Sequence, residues 1–247
     1  MSTLGSIIAA SVIISLISLI GGVLLVLPKF SLEKLSMYFV SFAAGVMLTT
    51  AFIDLLPEAL AGGFNENIFL YGLAGIVVLF LVERFVLWFH HHDAPHTKPS
   101  AYLILFGDAL HNFFDGLAIA ATFLTSPHLG VVTTLAIAAH EIPHEIADFS
   151  VLISGGMKKG KALFYNFLSA LTALLGAVFG FFYLDKIEGT VPMMLMFTAG
   201  VFIYIACSDL IPDLHNDFKK QKRWLTTIPF IVGIILTYYL IALIERS

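Results

Sequence analysis

The chain has 247 residues, of which 59% are hydrophobic and only 12% charged, and its mean hydropathy is +0.94. That much apolar surface cannot be hidden in one water-soluble core, whereas a bilayer accepts it as solvent, so a soluble globular domain is excluded. A formal net charge of −4 gives no reason to expect a nucleic-acid partner, and the single cysteine, Cys207, excludes an internal disulfide framework and an all-cysteine metal site.

A helical span needs about 20 apolar residues. Eight such stretches follow one another at 4–27, 36–61, 67–89, 100–125, 130–154, 162–184, 191–214 and 225–244. The first has no basic flank before it and is too long for a signal-peptide core, so it reads as a retained span. The connections are short and carry turn residues and charges, as in Gly62-Gly63-Phe64-Asn65, Ser126-Pro127-His128 and Gly155-Gly156-Met157-Lys158-Lys159. Residues 90–99 form a short histidine-rich loop after the third span. The expectation is one all-α integral membrane domain, residues 1–247, with eight transmembrane helices.

The basic residues give the orientation. Lys29, Lys34, Arg84, Lys98, Lys158, Lys159, Lys161, Lys219, Lys220, Lys222 and Arg223 follow spans one, three, five and seven, leaving only Lys186 and Arg246 for the other side. By the positive-inside rule both termini lie on the non-cytoplasmic side. A plasma or inner membrane is the expected location.

An internal repeat is visible. Ala44 to Glu58 of span two reads AGVMLTTAFIDLLPE, and Ala199 to Asp213 of span seven reads AGVFIYIACSDLIPD. Copies five spans apart cross the membrane in opposite directions. The reading is an inverted repeat of spans one to three against six to eight, around central spans four and five. Alternating-access transporters are built on such repeats.

The polar residues concentrate where lipid should exclude them. Span four holds His111 and Asp115, four apart and therefore on one helical face, with Asn112 beside them. Span five holds His140, Glu141, His144 and Glu145, and Asp148 continues the stripe of the two histidines. At 1.5 Å per residue, His111 lies ~18 Å from the inner end of span four and His140 ~15 Å from the outer end of span five. Both sets fall near mid-membrane. Pro143 frees the carbonyl of Ala139 in the same region. Between Lys98 and Lys158 the chain has the acids Asp108, Asp115, Glu141, Glu145 and Asp148 and no Lys or Arg. Buried acids need a counter-charge, and a bound cation is the simplest one here. Imidazole with carboxylate suits zinc, and also iron, manganese or cadmium. The ion is read as transported substrate; no cofactor is expected.

At these residues the sequence resembles the ZIP (Zrt- and Irt-like) family of metal transporters. The resemblance rests on HNFFDG at 111–116, HEIPHE at 140–145, LLPEAL at the end of span two, and the stretch from Ala147 to Gly176. HEIPHE is the form found in many animal zinc importers. The resemblance implies uptake of divalent metal into the cytoplasm, a core of spans one, four, five and six moving against the other four, and a homodimer. It implies His111, Asp115, His140 and His144 as primary ligands, with Asn112 and Glu141 serving an adjacent position. Where many bacterial relatives carry a span-six glutamate for a second metal, this chain has Ala173, leaving Asn166 and Ser169 as the polar groups of that span. One central site is therefore expected, with any second position only partial.

The repeat sets Asp54 and Glu58 at the outer end of span two and Asp209 and Asp213 at the inner end of span seven. These acids read either as cation-attracting groups at the two mouths or as caps of helix ends beside Pro57 and Pro212. Asp108 and Asp148 lie on the cytoplasmic side of the central set, as a first step of release. His90, His91, His92 and His96 read as a metal-collecting loop or as a solvated one. His128 and His215 read as solvent-facing or helix-end residues. Two rival functions remain at this point. Residues 140–144 match HExxH, the zincin motif of an intramembrane metalloprotease, and the same ligands would also suit a metal-selective channel.

Overall fold

In the computed structural model, residues 2–26, 32–61, 66–92, 99–154, 156–186, 189–221 and 224–244 are described. They are helical almost throughout. We name the helices α1 (Thr3–Val26), α2 (32–61), α3 (Phe69–His92), α4 (Pro99–Thr125), α5 (Pro127–Ser154), α6 (159–183), α7 (190–221) and α8 (Ile228–Ile244). The segments Met37–Ala61, Lys159–Tyr183, Thr190–Lys219 and Trp224–Leu243 are long and apolar enough to cross a membrane by length and composition. Helices α4 and α5, of 27 and 28 residues, are interrupted in hydropathy by the acids and histidines already named. The molecule is thus an all-helical, apolar bundle.

Local chemistry explains the junction that matters most. Only Ser126 separates α4 from α5. Its hydroxyl accepts the Leu129 backbone N–H at 3.1 Å, and Pro127 fills the first helical position, where a missing N–H costs nothing. The chain therefore reverses within one residue, and the polar faces of α4 and α5 are brought side by side.

Helices α2 and α7 do not end at their prolines. Each widens to a π-helical stretch just before, at Thr50–Leu55 and Ala206–Leu210, then continues to Ala61 and Gln221. The Leu56 N–H reaches back to the Ala51 carbonyl, and the Ile211 N–H to that of Ala206. A proline ring clashes with the carbonyl four residues earlier, and a wider turn relieves the crowding. Asp54 and Asp209 lie inside these stretches, in mid-helix. The helix-end capping role considered for them does not hold.

The two repeat copies pack in matching ways. A Cβ on Gly45 of α2 would meet the Phe230 carbonyl oxygen of α8 at 2.2 Å, and one on Gly200 of α7 would meet that of Gly72 in α3 at 2.0 Å. In return, Gly233 of α8 abuts Phe42, and Gly75 of α3 abuts Phe197. Phe42 and Phe197, like Gly45 and Gly200, occupy equal offsets in the repeat. Small residues permit the close backbone approach that drives helix association in lipid.

Helix α6 crosses α4 at similarly short range. A Cβ on Gly116 would lie 1.9 Å from the Ala173 carbonyl oxygen, and one on Gly176 would lie 2.0 Å from that of Phe113. Helix α1 packs along α5 on the other side. The polar residues of α4 and α5 are thereby enclosed by α1 and α6.

Candidate metal centre

Four buried side chains converge between α4 and α5: His111, Asp115, His140 and Glu141. The two Nε2 atoms stand 3.1 Å apart. Asp115 Oδ2 is 3.7 Å from His111 Nε2 and 3.3 Å from His140 Nε2. Glu141 Oε1 is 3.5 Å and 3.6 Å from the same two nitrogens. Tetrahedral ligands at about 2.0–2.2 Å from a zinc ion stand ~3.3–3.6 Å from one another. The measured edges bracket that figure.

The orientation of the donors agrees. His140 Nδ1–H donates to the Ala136 carbonyl at 3.2 Å, which assigns the proton to Nδ1 and turns the Nε2 lone pair inward. Asp115 Oδ2 and Glu141 Oε1, the oxygens facing the imidazoles, have no hydrogen-bond partner. Buried oxygens without donors are costly unless a cation meets them. Glu141's other oxygen accepts a 2.7 Å hydrogen bond from the Ser18 hydroxyl of α1. In metal sites, hydrogen bonds of this kind orient the ligating carboxylate.

The remaining expected residues fall into distinct places. His144 stacks on His111, with centroids 4.9 Å apart, but its Nδ1 turns to Asp108 Oδ1 and Asp148 Oδ2, each at 3.9 Å. These three make a second cluster. Asn112 donates to Asp108 Oδ1 at 2.9 Å, and Ser169 of α6 donates to Asp108 Oδ2. Glu145 is fully buried and accepts from the Asn166 amide of α6. Ala173 is wholly buried, at the crossing with α4. Helix α6 contributes no member to either cluster and instead anchors the acids around them.

Asp54 is buried, and His128 Nε2 stands 4.0 Å from its Oδ1. His128 is therefore not a solvent residue, although it does begin a helix. Glu58, Asp213 and His215 are exposed. Near Asp209, the Tyr204 hydroxyl donates to Glu83 of α3, and Ser208 donates to Asp209 Oδ1 at 3.1 Å. His90, His91 and His92 form the end of α3; their side chains, and all of His96, lie outside the described residues.

The sequence reading missed Ser18 and Glu83. Ser18 had a signal, because Ser11, Ser15 and Ser18 recur at helical spacing on an otherwise apolar span. Glu83 had one too, as an acid inside a span next to Arg84.

Comparison with known proteins bears directly on this geometry. The profile of the family described as ZIP Zinc transporter matches residues 4–101 and 96–244, nearly the whole chain. The chain belongs to the ZIP zinc transporter family. Among the curated relatives of this ZIP chain is Zinc transporter ZIP13 of Pongo abelii, 37% identical over 199 residues, which cover 74% of the chain and 59% of the relative. Zinc transporter ZIP6 of Homo sapiens is 42% identical over 127 residues, covering 50% of the chain and 17% of the relative. Zinc transporter foi of Drosophila melanogaster is 37% identical over 155 residues, covering 62% and 22%. The ZIP chain thus spans 59% of the first relative's length and a smaller share of the other two.

Proposed function

We propose that this protein carries divalent metal ions, zinc foremost, across a membrane through the centre formed by His111, Asp115, His140 and Glu141. Iron, manganese and cadmium are further candidate substrates. The observation that carries the proposal is the set of two imidazole nitrogens and two carboxylate oxygens without hydrogen-bond partners, with nitrogen–nitrogen and nitrogen–oxygen spacings of 3.1–3.7 Å. Membership of the ZIP family and relatives named as zinc transporters support it. His144 and Asn112 belong to the adjacent, inner position in this reading.

The route is uptake into the cytoplasm by alternating access of eight spans. The matched packing of α2 on α8 and α3 on α7, with a π-helical stretch at the same offset in α2 and α7, supports an inverted repeat. Asp54 with Glu58 draws cations to the outer mouth, and Asp209 with Asp213 to the inner one. Both termini lie on the non-cytoplasmic side of a plasma or inner membrane, and the protein acts as a homodimer. The histidines at the end of α3 and His96 after it collect released metal.

Glu141 counts against the metalloprotease reading. A zincin glutamate must stay off the metal to activate water, and both HExxH histidines must bind one ion. Here Glu141 Oε1 faces both imidazoles as a member of the donor cluster, and His144 Nδ1 turns to a different one. The buried, four-donor centre also favours a carrier over a channel, in which weak and shared binding speeds conduction.

Reconstitution in liposomes tests the proposal. Protein-loaded vesicles should accumulate zinc down its gradient, and His140→Ala should abolish the flux. Normal flux in that variant sinks the site assignment.

A further inference from the structure

Two threonines depart from the way hydroxyls are satisfied in this bundle. A threonine inside a helix can turn its hydroxyl to the carbonyl four residues back. Thr49, Thr122 and Thr198 do so, toward Gly45, Ala118 and Met194. Thr50 and Thr133 are 0% exposed, yet their Oγ1 atoms have no hydrogen-bond partner. Among the described residues, no other buried hydroxyl is left in that state. A buried hydroxyl without a partner costs stability.

The positions of the two residues supply a reason for that cost. On α2, Thr50 opens the π-helical stretch, four residues before Asp54. On α5, Thr133 comes five residues after His128. Asp54 and His128 face one another at 4.0 Å, and α2 packs along α5. The two helices run in opposite senses in the eight-span arrangement. Moving inward from the Asp54–His128 contact, Thr50 is ~6 Å along α2 and Thr133 ~7.5 Å along α5, so both stand at nearly one level. Thr133 is also seven residues before His140, two turns and ~10 Å outward on the same helical face. Further inward come apolar, wholly buried side chains: Met47 on α2, and Ala136 and Ile137 on α5.

We propose that the Thr50 and Thr133 hydroxyls replace water around a divalent cation as it passes from the Asp54–His128 mouth to the centre, and so ease passage most for an ion that holds its water tightly. The proposal rests on the transport reading. The apolar layer at Met47, Ala136 and Ile137 gives an ion nothing in exchange for its hydration shell. A hydroxyl oxygen that is not engaged by its own helix keeps lone pairs for a cation or for its remaining water. Being neutral, the two oxygens offset part of the lost hydration without holding the ion as a carboxylate would. That suits a step of passage rather than a resting position. The smaller of two ions of equal charge parts with water less readily, so zinc depends on the hydroxyls more than cadmium does.

The repeat sharpens the assignment. The mate of Thr50 on α7 is Ile205, which is buried and apolar. The copies share the glycine, the aspartate and the proline but not the hydroxyl. Thr50 is therefore not required by the packing that the two copies have in common.

The test is zinc and cadmium uptake into liposomes carrying the full chain with Thr50→Val or Thr133→Val, with thermal unfolding midpoints read in detergent. Each variant should lower zinc uptake by roughly tenfold, the loss expected for one contact to a charged group, and cadmium uptake by less. The midpoint should stay or rise, because valine removes an unpaired buried hydroxyl. Thr50→Ser and Thr133→Ser keep the oxygen and should restore zinc uptake. Wild-type zinc uptake in both valine variants, an equal fall for both metals, or a loss that serine does not restore overturns the proposal. A second measurement needs no flux. In a Cys207→Ser background, Thr133→Cys should react with a membrane-impermeant thiol reagent, and zinc should slow the reaction. Thr122→Cys, at a fully buried hydroxyl bonded to its own helix, should stay unreactive. If the wild-type protein moves no zinc, transport is refuted, and the labelling alone decides whether an ion reaches Thr133. Labelling of Thr133→Cys that is absent or indifferent to zinc overturns the proposal.

Discussion

The Ser18 hydroxyl, on α1, donates a 2.7 Å hydrogen bond to Glu141 Oε2, and both residues are fully buried. That contact leaves Oε1 turned to the imidazoles of His111 and His140. Helix α1 therefore sets the aim of a carboxylate on α5. Removing an outer-shell partner commonly costs 10–100-fold in metal affinity or activity. Ser18→Ala should raise the KM for zinc uptake in liposomes by roughly 10–100-fold, and Ser18→Thr should recover most of the loss. Uptake by Ser18→Ala that matches wild type would show that Glu141 is aimed by something else.

Acid should weaken the first site. A histidine binds metal only as neutral imidazole, so protons and metal compete for the same lone pairs. Two of the four donors are imidazoles. Zinc affinity should therefore fall as pH is lowered from about 7.5 to about 5.5. Isothermal titration of the purified protein measures this. An affinity flat across that range argues against histidine ligation.

The chemistry of the centre was readable because rare residues stand out in lipid. His111, Asp115 and His140 fall together as their helical spacing predicts. What spacing does not give is level along the axis. His140 and His144 share a face but stand ~6 Å apart along the helix. In the structure Glu141 joins the first cluster, whereas His144 Nδ1 faces Asp108 and Asp148. The π-helical stretches left no pattern of their own; the recurring Asp and Pro marked their place but suggested helix ends. Ser18 was hidden because a serine in a span usually bonds its own helix, as Ser11 does to the Ile7 carbonyl.

The outer mouth should act through charge. Asp54 lies beside His128, at the start of α5. In the proposed route it raises the local concentration of cations rather than binding the ion for the crossing itself. Such focusing is screened by salt. Asp54→Asn should raise the KM for zinc a few-fold with little change in maximal rate, and the difference should shrink as ionic strength rises. A loss of maximal rate at unchanged KM would instead make Asp54 part of the moving machinery.

The paired glycines carry the last prediction. At Gly45 and Gly200 an added methyl would lie 2.2 Å and 2.0 Å from a facing carbonyl oxygen. The obstacle in each case is backbone, which cannot swing aside as a side chain would. Helices α2 and α8, or α3 and α7, would have to separate. Overpacking of this kind costs about 1–3 kcal/mol. Gly45→Ala and Gly200→Ala should each lower the thermal unfolding midpoint in detergent, and by similar amounts if the two repeat copies do equivalent structural work. Gly160→Ala is the control, since nothing lies within 4 Å of its added carbon. It should leave the midpoint unchanged or raise it slightly, because alanine favours helix over glycine. A midpoint for Gly200→Ala no lower than that of Gly160→Ala would mean that the α3–α7 contact is looser than the backbone geometry requires.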